Sequence, residues 1–232
     1  MDNATYELVV FDGDETLIDG DIIDALAEYA GVTERVQQVK VDVWENGLDA
    51  MDALAEDIFP LFEGISVAEV DHLVESLSFA PGARTVGQNV TCQTAIFTAL
   101  APLATHIAAE LDFDHWRANT PLVEDGVLTG ELEGEIIEHG KGPVLDALVA
   151  DLGISHDQVI AIGDGPHDIP LFERAGFSVG MNPRGAVRDV PDVATTEQDF
   201  TQIIPELISR GVLDPSYGDQ LAGVNGESES NP

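Results

Sequence analysis

Hydrophobic positions along the chain follow two periods. Leu8, Val9, Val10 and Phe11 form an unbroken apolar run that ends on Asp12, Gly13 and Asp14, which predicts a buried strand stopping at a polar loop. The period then becomes helical. Ile22, Ile23, Leu26, Ala27 and Ala30 recur at helical spacing, with Asp21 placed to cap the start and Gly31 to end the turn. Further helical patterns cover residues 33–46, 48–62 and 66–77, punctuated by Gly47 and Gly64, with no strand signal among them.

After Pro81 and Gly82 strand and helix signals alternate. A short helix precedes the strand-like VTCQTAIFT (90–98), then come a helix from Pro102 to Leu111 and a strand near 113–119. The turn signal Asp125-Gly126 between Val123 and Val127 predicts a small antiparallel hairpin over 121–137. A helix from Lys141 to Leu152 follows, then the strand QVIAIG, a helix opening near Asp168, the strand FSVGM and a last helix around 199–210. Repeated units of this kind predict an α/β fold, a doubly wound parallel sheet with helices on both faces. Residues 1–18 and 81–212 form its core, and residues 19–80 are a small helical cap inserted after the first strand. Residues 213–232, rich in Gly, Ser, Asn and acids without an apolar period, read as a flexible acidic tail.

Charge narrows the setting. With 44 acidic and nine basic residues the formal net charge is -35, which repels nucleic acids and anionic membranes. A hydrophobic content of 44% is too high for a disordered acidic chain, so the charge coats a folded body. Self-repulsion on that scale is tolerated in concentrated salt, which predicts a halophilic, archaeal source. The single cysteine, Cys92, precludes an internal disulfide and reads as a buried, inert thiol in a reducing compartment. No signal-peptide pattern opens the chain, and its most apolar stretch, 94–109, is broken by Thr98, Pro102, Thr105 and His106. The expectation is a cytoplasmic monomer or homodimer with no nucleic-acid or membrane partner.

In open parallel sheets ligands bind beyond the carboxyl ends of the strands, so the segments after the predicted strands carry the candidate chemistry. Asp12 and Asp14 follow the first strand, and strand alternation turns both to one side and Gly13 to the other. Paired carboxylates there repel each other, a cost that a hard cation such as Mg2+ offsets. Thr98 follows TAIF, and the acidic, glycine-rich GDGPHD (163–168) follows VIAI. Lys141, one of only two lysines beside Lys40, opens a helix, where the dipole disfavours a cation; a bound phosphate would explain it. A calcium loop counted from Asp12 fails, because Leu17 stands where glycine is needed and Ile23 where glutamate is needed. Trp44, Phe59 and Phe62 read as packing residues, and His72, His139 and His156 as surface or loop residues.

Taken together, VVFDGDETLID with the helical insertion behind it, Thr98, EDGVLTGELEGE, HGKGPVLDAL and VIAIGDGPHDIPLFERAGFSVGMN resemble the haloacid dehalogenase superfamily over residues 5–210. Within it they are most similar to the phosphoserine phosphatase-like branch. The resemblance implies a Mg2+-dependent phosphomonoester hydrolase acting on a small phosphorylated metabolite, phosphoserine among them. By it Asp12 is the nucleophile that forms an aspartyl phosphate, and Asp14 is the general acid and base whose backbone carbonyl also binds Mg2+. Asp164 completes the metal ligands, Thr98 and Lys141 hold phosphoryl oxygens, and Asp168 orients Lys141 or a metal-bound water. Asp14 favours ester cleavage over dehalogenation, because an alkoxide leaving group needs an acid. The same residues also suit phosphoryl transfer to a small alcohol, or metal and phosphometabolite binding without turnover.

The chain departs from that branch at three places. Ala99 and Leu100 replace the glycines after the motif threonine. Pro166 and His167 stand where that branch has a small residue and an asparagine, so that His167 either adds a pH-sensitive donor near the phosphate or fills space there. In the cap Asp21 matches the acid that takes a substrate amine, whereas Asp57 aligns with the arginine that takes a substrate carboxylate. Only Arg35 or Lys40 is left to offer a cation there.

Overall fold

The computed structural model describes residues 5–218. The opening apolar run forms β1 (Leu8–Asp12), all five residues of it buried. The short strand β2 (Ile18–Asp19) leads into the cap helices α1 (Ile22–Ala30), α2 (Thr33–Asn46), α3 (Ala50–Ala53) and α4 (Val67–Ser76). β3 (Ser78–Phe79) pairs antiparallel with β2 and brings the chain back. The core continues through α5 (Ala83–Gly87), β4 (Gln93–Leu100), α6 (Ala101–Leu111), β5 (His115–Glu124), β6 (Val127–Glu133) and α7 (Glu135–His139). It closes with α8 (Lys141–Leu152), β7 (Val159–Gly163), α9 (Ile169–Phe172), β8 (Phe177–Gly180), β9 (Val193–Ala194) and α10 (Ile204–Ser209).

Seven strands form one sheet in the order β6-β5-β4-β1-β7-β8-β9, with only the β5–β6 pair antiparallel. β1 lies in the middle, and its period of two divides the interior. Val9 and Phe11 point to the face packed by α6, α10 and the cap, while Leu8 and Val10 face α8 and α9. Leu26, Val36, Phe59 and Phe62 of the cap belong to the same apolar cluster as Phe11 and Ile96 of the sheet. The cap is therefore seated on the sheet by burial of apolar surface.

Local chemistry sets the element ends. Asp21 caps α1, accepting from the Ile23 amide at 2.6 Å and the Asp24 amide at 3.3 Å, and Gly31 closes it at φ 71°. The pattern over 48–62 is broken into α3, a π turn over Leu54–Ile58 and a 3₁₀ turn over Phe59–Phe62, where Pro60 lacks the amide a continuing helix needs. The first arm of the hairpin is β5 itself, which runs on to Glu124, so the hairpin is the edge of the main sheet. The helix near Asp168 is a 3₁₀ turn followed by the four-residue α9. The two-residue strands β2, β3 and β9 carry no readable period at their length.

Two further expectations change. Leu213 is buried and bridges Val90, and Tyr217 packs against the core, so the chain is still anchored past residue 212. The remainder of the expected tail, 219–232, lies outside the described residues. Cys92 is half-buried rather than buried, and desolvation still pushes its thiol up to about 11. Among the described residues no helix is long and apolar enough to cross a membrane.

Candidate active site

β1 delivers Asp12 to the carboxyl end of the sheet, between β4 and β7. Strand geometry stops there. Glu15 sits at φ 51°, so Asp14 lies in a kinked turn and the alternation expected of the two acids does not extend to it. The two carboxylates have different partners. Asp14 accepts from the Ile22 amide at 2.8 Å and from the Thr98 hydroxyl at 2.9 Å. Asp12 accepts from Lys141 Nζ at 2.6 Å and lies 3.2 Å from His167 Nε2. Gly13 permits this arrangement, because a Cβ there would fall 2.7 Å from Thr98 Oγ1. Thr98 lies within β4, not in the loop beyond it, and is fully buried.

Lys141 is the first residue of α8 and its side chain is buried. This cation at a helix N-terminus has two carboxylate partners. Besides Asp12, its ammonium donates to Asp168 Oδ1 at 2.7 Å. Asp168 Oδ2 accepts from the amides of Asp164 and Gly165 at 3.0 and 3.1 Å. Both Asp168 oxygens are thus engaged, which makes it the residue that orients Lys141 and shapes the GDGPHD loop. Asp164 accepts from the Thr16 hydroxyl at 3.1 Å. Thr16 stands two residues after Asp14 in the opening motif, and only the fold brings it to Asp164.

Burial and charge then separate the acids. Desolvation alone would raise the Asp12 carboxyl, but Lys141 and His167 override it and hold Asp12 well below the usual carboxylate range. Desolvation, with Asp21 and Asp12 nearby, pushes Asp14 up to about 8. Asp164 is raised well above the ordinary value by burial and by Asp12. Burial would lower His167, yet Asp168 and Asp12 carry it to about 9. Lys141 is raised against its own desolvation by the two aspartates.

Asp12, Asp164, His167 and Asp168 offer ligand atoms that all lie within 4.8 Å of one another. Oxygen-rich clusters of this kind suit a hard divalent cation. Asp164 points the same way: burial and the neighbouring Asp12 raise its carboxyl well above the ordinary value, and a bound cation would offset both effects. The residues present fit a hard divalent cation, which the Asp12 and Asp164 carboxylates would hold.

The cap closes a small cavity of about 120 Å³ over this edge. Asp14, Glu15, Asp164 and His167 line its core side, Asp21 and Lys40 its polar cap side, and Ile23, Val43, Trp44, Met51, Leu54 and Ile58 its apolar walls. Trp44 is thus a lining residue as well as a packing one. Lys40 Nζ lies 2.6 Å from both Asp21 Oδ2 and Asp24 Oδ1. Asp57 and Arg35 are exposed and do not line the cavity, whereas Ala99 does.

The chain matches the model of the haloacid dehalogenase-like hydrolases over residues 9–173. It is 27% identical over 203 residues to the phosphoserine phosphatase of Methanocaldococcus jannaschii, covering 85% of this chain and 96% of that one. It is 31% identical over 206 residues to that of Wolinella succinogenes, covering 87% and 100%. It spans only 53% and 57% of two longer bacterial relatives. A solved structure described as the phospho-aspartyl intermediate analogue of phosphoserine phosphatase superposes with a TM-score of 0.81 at 26% identity, covering 87% of this chain and 99% of that one. With sequence, architecture and acidic edge in agreement, the chain belongs to the haloacid dehalogenase-like hydrolases, as a phosphatase of their phosphoserine phosphatase-like branch.

Proposed function

We propose that the chain hydrolyses a phosphomonoester of a small metabolite through an aspartyl phosphate on Asp12, with Mg2+ as cofactor. The observation that carries this reading is the opposite state of two neighbouring acids. Asp12 is held ionised and Asp14 protonated up to about 8, the division of labour that nucleophile and general acid require. An Asp12 oxygen attacks phosphorus while the bond to the leaving alkoxide breaks, and the alkoxide takes the Asp14 proton. Asp14, now a carboxylate, removes a proton from the water that displaces Asp12 and releases phosphate.

Lys141 has three N–H donors and spends two on Asp12 and Asp168, leaving one for a phosphoryl oxygen. The Thr98 hydroxyl has a single proton. When Asp14 is protonated it can donate to Thr98, which frees the hydroxyl proton for a second phosphoryl oxygen. Asp12, Asp164 and the Asp14 carbonyl would hold Mg2+, whose charge would offset the repulsion between an anionic nucleophile and an anionic ester. The acidic coat supports operation in concentrated cytoplasmic salt.

The test is release of phosphate from p-nitrophenyl phosphate and from a metabolite panel with Mg2+ in high salt; because the relatives above are phosphoserine phosphatases, phosphoserine belongs in the panel. Asp12→Asn is expected to fall to background, and Asp164→Asn to lose both activity and the rise in melting temperature that Mg2+ produces. Undiminished turnover in Asp12→Asn would overturn the mechanism. Appearance of a phosphorylated acceptor in place of inorganic phosphate would identify a transferase.

A further inference from the structure

The polar end of the cap cavity is already satisfied by the protein itself. Asp21 Oδ1 accepts from the amides of Ile23 and Asp24, and its Oδ2 holds Lys40 at 2.6 Å. The same ammonium reaches Asp24 Oδ1 at 2.6 Å, and that oxygen also takes a bond from Gln37 Nε2 at 3.0 Å. Among the described residues Lys40 is the only lysine or arginine lining the cavity, facing Asp14, Glu15, Asp21 and Asp164. Arg184 does not line the cavity: it pairs with Glu15 at 2.7 Å, and its guanidinium stands 5.9 Å from the centre of the Trp44 ring.

Two kinds of substrate charge are therefore unwelcome. An ammonium finds Asp21 already occupied and must displace or face Lys40. A carboxylate meets Asp21, whose one lysine partner is shared with Asp24 outside the cavity, and among the described residues no guanidinium lines the cavity to receive it. The remaining wall is apolar, and α2 presents Lys40, Val43 and Trp44 on one stripe, so the cation sits at the edge of a hydrophobic surface. Lys40 keeps one N–H, which suits an uncharged oxygen. The two aspartates raise Lys40 further above its usual range, so it stays charged in this place.

We propose that the cavity selects phosphomonoesters of uncharged, largely apolar small alcohols, and that Lys40 enforces this by occupying the place a substrate ammonium would take beside Asp21. The inference rests on the hydrolase reading above and deepens it to a substrate class. Lys40 is a specificity residue; it touches neither Asp12 nor the phosphoryl site.

The experiment compares kcat/KM of the full chain with Mg2+ on butyl phosphate, phosphoethanolamine, phosphoglycolate and phosphoserine, with p-nitrophenyl phosphate as reference. Butyl phosphate is expected to lead each charged ester by about tenfold or more, the discrimination that an unmatched charged group produces. In Lys40→Met the ratio of phosphoethanolamine to butyl phosphate rises about tenfold, because Asp21 regains a free acceptor. Wild-type preference for phosphoserine, or equal rates on all four, overturns the proposal while leaving the hydrolase reading intact. An unmoved ratio in Lys40→Met or Lys40→Gln whose melting curve shows a folded protein overturns the role of Lys40. Silence on every ester, the aryl reference included, sinks the hydrolase reading and the selectivity with it.

Discussion

Replacing Lys141 with methionine keeps most of the side-chain volume and deletes one charge from the interior. The ammonium is 2% exposed and lies 2.6 Å from Asp12 Oδ1 and 2.7 Å from Asp168 Oδ1, whose side chains are 2% and 0% exposed. Removing one member of so buried an ionic group leaves uncompensated charge and costs about 3–5 kcal/mol. Asp12 relieves part of this by taking up a proton, since the cation that holds its carboxyl low is gone, and each unit of pKa regained is worth about 1.4 kcal/mol. The expected net loss at neutral pH is about 3 kcal/mol, a little over about a hundredfold in the folding equilibrium. The control is Glu110→Gln, which breaks the Arg84–Glu110 pair at 2.9 Å, both side chains roughly half exposed; it should change stability by less than about 1 kcal/mol. Urea unfolding of both variants with a chelator, at two salt concentrations, separates the cases, because salt screens the surface pair and leaves the buried group almost untouched. Adding Asp168→Asn to Lys141→Met should recover about 1 kcal/mol or more, since it removes the orphaned charge. A loss in Lys141→Met no larger than in Glu110→Gln would refute the claim that this ion group is buried and coupled.

Two further outcomes follow from the same edge. A Cβ at Gly163 would overlap Asp168 Oδ2 and fall 2.5 Å from its Cγ, so Gly163→Ala should lose about 1–3 kcal/mol, lower the melting temperature by several degrees and depress turnover by shifting Asp168 from Lys141; an unchanged melt would contradict the packing. Between 3.8 and about 8 the folded chain keeps a proton on Asp14 that the unfolded chain releases, so this carboxyl makes stability fall as pH rises through that window. Metal-free melting curves of Asp14→Asn across that range should be flatter than those of the wild type, and coincident slopes would count against a raised Asp14.

Local signals were legible where one element satisfied one period. β1 is an uninterrupted apolar run and α8 a helical stripe ended by Gly153, so both are visible in the chain as it stands. Over 48–62 the sequence predicts one helix, because the apolar spacing survives the π turn and hides the break ahead of Pro60. Asp125-Gly126 marked a turn correctly, but nothing local says that the strand before it belongs to the main sheet, since that depends on the pairing of Ala95 with His115 across the fold. Lys141 stood out as an anomaly at a helix start, and its explanation lay 129 and 27 residues away in Asp12 and Asp168.

The sequence by itself determined the α/β alternation, the insertion after the first strand and the acids that end its strands, because backbone period and loop chemistry act over a few neighbouring residues. Only the tertiary structure decided which charges meet. It gave Asp12 and Asp14 different partners, engaged both oxygens of Asp168, and set Lys40 against Asp21. Coulombic and desolvation effects depend on where side chains from distant segments come together, and that placement exists only once the cap is seated on the sheet.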